Sequence, residues 1–281
     1  MSLRGPLSGV DATHRLYYGP SVDDRTAFAA ENAVVHAACD SASHVHVSAT
    51  PTELDARAPD AASAFDDLDP VPAADRVLGG DGTERVAALP ADEAALARVL
   101  GAPLAERDAV DWRRDAIDGI AVRDGDRPRY HSVPRNRQVR ALYAADDREL
   151  LEAAWLAVAD IDGAAVYPVG SLVSWTVRDT EYALTPTSLD VGTGRDERSY
   201  PLHRLERARP TRSDTGIDLT WASADDARDP LLRAVDSVLD RASDGPPGSI
   251  PVGGDAMAVL VLDRLNEIRD ALDYDFRVTT A

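Results

Sequence analysis

The sequence predicts a mixed α+β fold: an N-terminal α/β module followed by a small antiparallel β-barrel or sheet with covering helices. Three observations predict it. Strand-like and helix-like periodicities alternate through the first half of the 281 residues. Beyond Gly163–Gly170 the chain turns into short strand-like runs joined by polar turns. Two amphipathic helical stretches close it, at Asp225–Arg241 and Asp255–Tyr274. The organisation expected is an α/β module over residues 1–165, a barrel-like domain with its closing helix over 166–243, and a Gly/Pro linker with a C-terminal amphipathic helix over 244–281.

Each element has a local cause. His14–Tyr18 is an aromatic strand stopped by Gly19-Pro20. Asp23–Ala38 is a helix, with Phe28, Asn32, Val35 and Cys39 at three-to-four-residue spacing and acids at its positive end. His44–Ser48 is a second strand. Thr52–Leu68 is an Ala- and Asp-rich helix interrupted by Pro59. Arg85–Leu89 is a third strand, and Ala91–Leu100 a helix carrying Leu96, Val99 and Leu100. Gly119–Val122 and Arg129–Val133 flank Asp124-Gly125-Asp126 as a hairpin, because Asp-Gly supplies the positive φ of a tight turn. Gln138–Tyr143 is a further strand, and Asp147–Ala159 an amphipathic helix bearing Leu150, Leu151, Ala154, Trp155 and Val158. The second half offers strands at Val173–Val177, Glu181–Thr185, Ser188–Val191, Ser199–Glu206 and Gly216–Trp221. The helix at Asp225–Arg241 carries Leu231, Leu232, Val235 and Leu239, and the Gly/Pro-rich segment Gly245–Gly254 leads into the last helix.

Apolar residues make up 44% of the chain, enough for a sizeable core. Aromatics are only 5%, so Val, Leu and Ala must fill it. Acidic residues number 49 against 30 basic ones, a formal net charge of -19, and every one of the 30 is Arg. Such self-repulsion weakens a compact state in dilute buffer. In molar salt the Debye length falls to about 3 Å and the repulsion is screened. The composition resembles that of proteins from salt-accumulating archaea. Melting followed from about 0.1 M to 3 M KCl is therefore expected to shift steadily upward, and a flat melting temperature would remove the salt-adaptation reading. An acidic surface gives nucleic acid and anionic membranes no counterion-release drive. The single cysteine, Cys39, excludes an internal disulfide. No apolar leader is visible at Met1–Val10, and the longest apolar run, Ala256–Leu262, is too short to span a bilayer, so a cytoplasmic location is expected.

Trp175-Thr176-Val177 followed by Tyr182-Ala183-Leu184-Thr185 reads as strand, turn and strand. Leu184-Thr185-Pro186-Thr187-Ser188-Leu189 comes next, then Tyr200-Pro201-Leu202-His203-Arg204-Leu205 ahead of a glycine-led strand, Gly216-Ile217-Asp218-Leu219. These pieces resemble prokaryotic pleckstrin-homology-like or GRAM-like barrels, over about a quarter of the chain. The resemblance implies a scaffold for protein–protein contact. Lipid-binding members carry a basic first loop; here that loop is Arg178-Asp179-Thr180-Glu181, half acidic, so a lipid role is not implied.

Two clusters are candidates for chemistry. His36, Cys39, His44 and His46 gather half of the chain's six His and its only Cys into one short stretch. Imidazole and thiolate suit Zn²⁺, and a helix end folding onto the next strand can unite them. A small core Cys beside a partly exposed strand explains the same residues without metal. Arg127, Arg129, His131 and Arg137 form an anion-binding candidate, since strand alternation puts Arg127, Arg129 and His131 on one face and guanidinium forks match phosphate and carboxylate. Pairing with surface acids is the alternative. Phosphate loops, nucleophile elbows and HExxH zinc motifs are missing. The expectation is a non-enzymatic regulatory or adaptor protein acting through a protein partner, with a ligand-binding sensor or enzyme in the N-terminal module as the alternative. No cofactor beyond the candidate Zn²⁺ is expected. In the last helix, Ala258, Val261, Leu265, Ile268 and Leu272 follow an a/d rhythm that serves either self-packing or a homodimer seam.

Overall fold

The computed structural model describes residues 10–101, 116–134, 140–193, 196–211, 216–223 and 245–279. The chain divides into two compact units. One comprises Met1–Tyr18 with Val22–Val169, the other Gly19–Ser21 with Gly170–Ala281. The expected helix at Asp225–Arg241, and Arg137, lie outside the described residues.

In the first unit the order is β1 (His14–Tyr18), α1 (Asp24–Cys39), β2 (His44–Ala49), α2 (Pro51–Arg57), α3 (Pro59–Asp66), β3 (Asp69–Pro70), β4 (Thr83–Ala88), α4 (Glu93–Leu100), β5 (Ile117–Asp124), β6 (Arg127–Ser132), β7 (Arg140–Leu142), α5 (Arg148–Val158) and β8 (Ala164–Pro168). The strands form one eight-stranded sheet, ordered β3-β4-β2-β5-β6-β7-β1-β8. Alternation of strand and helix suggested an α/β module, yet every pairing in this sheet is antiparallel. The β5–β6–β7 meander separates β1 from β2, so their shared direction needs no parallel pairing.

Local chemistry sets the element ends. The Asp23 carboxylate accepts from the Thr26 N–H at 2.7 Å and caps α1, and Asp147 caps α5 through the Leu150 N–H. Pro59 ends α2 by pushing Ala58 out of helical geometry and then opens α3 at its first position. Gly125, at φ 54°, makes the β5–β6 turn. Along β2, Val45, Val47 and Ala49 join Val34, Val35 and Ala38 of α1 in one core, while His46 and Ser48 point to the opposite face. Both edges of the sheet are blunted. β3 is two residues long and ends in proline, and the Trp155 indole N–H donates to the Val166 carbonyl of β8 at 3.0 Å.

The second unit carries β9 (Val173–Val177), β10 (Thr180–Leu184), β11 (Ser188–Thr193) and β12 (Asp196–Pro201) as an antiparallel meander. A second sheet, ordered β15-β14-β13-β16, combines β13 (Leu205–Pro210), β14 (Gly216–Trp221), β15 (Ser249–Pro251) and β16 (Arg277–Val278). Among the described residues no pairing joins the two sheets, so the barrel is not closed. The strand expected over Ser199–Glu206 breaks at Pro201, and Leu202–Arg204 forms a 3₁₀ turn. The Gly/Pro-rich segment read as a linker contributes β15, paired with β14.

The last helix, α6 (Asp255–Leu272), packs on β9, β13 and β16 and so spans both sheets. Ala258, Val261, Leu265, Ile268 and Leu272 are all buried there. Each fully buried large aliphatic side chain contributes about 1.5–3 kcal/mol, and this stripe is spent within its own unit rather than left for a second copy. Trp175 adds a tie between the sheets, donating its indole N–H to the Pro251 carbonyl at 2.9 Å.

Candidate functional site

The His/Cys quartet does not assemble. His36 is exposed on α1, Cys39 is half-buried at that helix's end, and His44 is exposed with its Nδ1 2.9 Å from the Ser43 hydroxyl. His46 is buried on the sheet face turned away from α1. The period of two puts His44 and His46 on one side while the helix layer holds His36 and Cys39 on the other. Among the described residues no three His, Cys, Asp or Glu come together as a metal-binding set.

His46 has a structural partner instead. Its Nδ1 lies 2.8 Å from Glu84 Oε1, and its Nε2 lies 3.3 Å from Arg123 Nη1. An arginine can only donate, so the network assigns the proton to Nδ1. The Glu84 carboxylate also accepts the backbone N–H groups of Val77 (3.0 Å) and Leu78 (3.1 Å). It thereby pins the segment before β4 over Ala121, where Val77 and Leu78 pack beside Tyr143.

The arginine face is also dispersed. A β-bulge falls between Val122 and Arg123, with Tyr130 opposite the first and Pro128 opposite the second. The extra residue is Arg129, which a bulge re-aims. Its Nε donates to the Ala38 carbonyl at 3.0 Å and its Nη1 to Asp147 Oδ2 at 2.8 Å, both in the helix layer. Arg127 is exposed at the turn. His131 is buried opposite Ala121 and Ala141, and burial pulls its imidazole down to about 4. Arg127, Arg129 and His131 therefore make no common anion pocket.

Sequence reasoning did not find the polar cluster inside the core. Glu31 of α1 is wholly buried, with its Oε2 3.5 Å from Arg140 Nε and its Oε1 accepting from the Tyr130 hydroxyl at 3.3 Å. The Arg140 guanidinium lies over the Tyr18 ring, 5.0 Å from its centroid. Burial works against the arginine's charge, but Glu31 together with Tyr18 and Tyr130 more than offsets it, and the net shift is upward. Burial, reinforced by Glu31, raises the Tyr130 hydroxyl well above its usual value. The cluster locks α1 to β6 and β7.

The open site lies in the second unit, on the solvent face of the β9–β12 meander. Register places Ser174, Ala183, Asp190 and Ser199 in one cross-strand row and Thr176, Glu181, Gly192 and Glu197 in the next. Small residues at 183 and 192 leave a groove of about 430 Å³ between the longer acids. Asp190 is held in place by the hydroxyls of Ser188 (2.9 Å) and Ser199 (2.5 Å). A Cβ at Gly192 would meet nothing within 4 Å. The signal for this face was in the sequence: Ser174 and Thr176 alternate with Val173, Trp175 and Val177, and a glycine inside a strand marks a place of close approach. The strand expected over Ser188–Val191 stops one residue short of Gly192, whereas the observed strand runs to Thr193.

Comparison with protein-family models, with curated proteins and with solved structures finds no match.

Proposed function

We propose that the protein is a non-enzymatic regulatory or adaptor protein, and that the groove on the β9–β12 sheet receives its protein partner. The observation that carries this is the groove itself, a concave polar surface whose one fixed carboxylate, Asp190, is oriented by two hydroxyls and faces open space between small residues. By contrast, six buried or part-buried ionisable groups of the first unit are engaged in structural ties: Glu31 with Arg140, His46 with Glu84, and Arg129 with Asp147. The antiparallel β9–β12 meander, over residues that carry the pleckstrin-homology-like resemblance, supports a contact scaffold. Glu181, Asp190 and Glu197 favour a cationic, extended segment of the partner. The acidic composition and lone cysteine support a cytoplasmic, salt-rich setting. No helix among the described residues is long and apolar enough to cross a membrane.

Gly192→Tyr tests the assignment, because the added ring enters open space and fills the groove without displacing backbone. The variant is expected to keep the wild-type melting temperature. In affinity purification from the producing cells at native salt, it should lose at least about tenfold of the partner retained by wild type, the effect of about 1.4 kcal/mol. Equal retention by both would place the contact elsewhere.

A further inference from the structure

A second concavity lies in the first unit, between the C-terminal half of α1 and α4, with a volume of about 360 Å³. That is the small end of the range for ligand pockets, roughly 300–1,000 Å³. Val35, Leu96 and Leu100, all buried, form its inner wall. Its mouth carries two exposed carboxylates, Asp40 and Glu93. Neither forms an ion pair with another described residue. The turn leading into α4 is fixed by the Asp92 carboxylate, which accepts the Ala88 N–H at 2.8 Å and so sets where Glu93 stands. Cys39, the chain's single thiol, also lines the concavity.

We propose that this concavity binds a small organic cation, an alkyl- or arylammonium whose apolar body lies against Val35, Leu96 and Leu100 while its ammonium group meets Asp40 and Glu93. Apolar walls give such a ligand its affinity through buried area, and the paired carboxylates give it a sign. A charge next to a low-dielectric wall is screened by salt less than one in open solution, so selectivity for cations survives in concentrated KCl. The thiol agrees with this environment: burial, reinforced by Asp40, pushes it up to about 12. Cys39 is therefore no activated nucleophile, and its position makes it a reporter of occupancy. The site stands independently of the groove in the second unit, and neither assignment requires the other.

The test uses the full chain at pH 8 in KCl and follows modification of Cys39 by methyl methanethiosulfonate. Benzylammonium at ten times its dissociation constant is expected to slow the reaction about tenfold, since only empty protein reacts. Benzyl alcohol should protect more weakly and benzoate not at all. Asp40→Asn combined with Glu93→Gln changes only exposed side chains; it should leave the melting temperature unchanged and reduce benzylammonium to the level of the alcohol. A measurement that needs no variant compares charged reagents. The cationic aminoethyl methanethiosulfonate should outpace the anionic sulfonatoethyl reagent at Cys39 by a larger ratio than at free cysteine. Equal protection by benzoate and benzylammonium, no protection by any of the three, or a reagent ratio equal to that of free cysteine would overturn the proposal.

Discussion

Glu31→Leu is expected to destabilise the first unit by about 3–5 kcal/mol, because it strands the Arg140 guanidinium in a core with its carboxylate partner gone. Arg140 is 1% exposed and Glu31 0%, so water cannot take over the missing role. The Tyr130 hydroxyl loses its acceptor in the same step. For a unit of this size that corresponds to a fall of roughly 10 °C in its melting temperature, readable by calorimetry. The double replacement Glu31→Leu with Arg140→Met should recover most of the loss, since well-packed apolar substitutes for a buried ion pair are often neutral or stabilising. A single variant that melts with wild type would show that the pair is not sealed from solvent.

A comparable loss is expected from Leu265→Asp in the second unit. Leu265 is 3% exposed within the α6 stripe, so the substitution removes a buried apolar side chain and puts an unpaired carboxyl in its place. Together these belong to the rare class of changes above about 4 kcal/mol. Leu260→Asp is the control. Leu260 lies on the outer side of the same helix at 40% exposure, and its replacement should stay within about 0.5 kcal/mol. Light scattering and circular dichroism at high salt should find a wild-type monomer and a Leu265→Asp chain with the second unit unfolded. A wild-type dimer that Leu265→Asp turns into a folded monomer would instead make the stripe an intermolecular seam.

Much of the secondary structure was legible because it follows from local physics. Asp23 before an apolar helical rhythm, Pro59 inside another, and Asp-Gly between two strands each act over four or five residues, and each had the predicted effect. The pairing of strands was less legible. Nothing local says that β1 and β2, joined by α1, have three strands between them, because that order is set by which faces bury together. The candidate sites depended on the same long-range facts. His36 and His46 are close in sequence but sit on opposite sides of the sheet. A one-residue bulge, invisible to strict alternation, turned Arg129 away from His131. Glu31 looked like one acid among 49, and only the distant Arg140 and Tyr130 distinguish it.

The blunted sheet edges also bear on how the molecules coexist in solution. In dilute buffer a net charge of -19 would keep copies apart. Molar salt removes that protection, because repulsion then reaches only about 3 Å, and it strengthens no hydrogen bond that would compensate. Colloidal stability must come from shape. An edge strand of two residues ending in Pro70 offers a neighbouring chain almost no template, and the Trp155 indole already occupies a carbonyl on the opposite edge. In concentrated salt, closed borders on this sheet would take over the role that charge plays in dilute buffer.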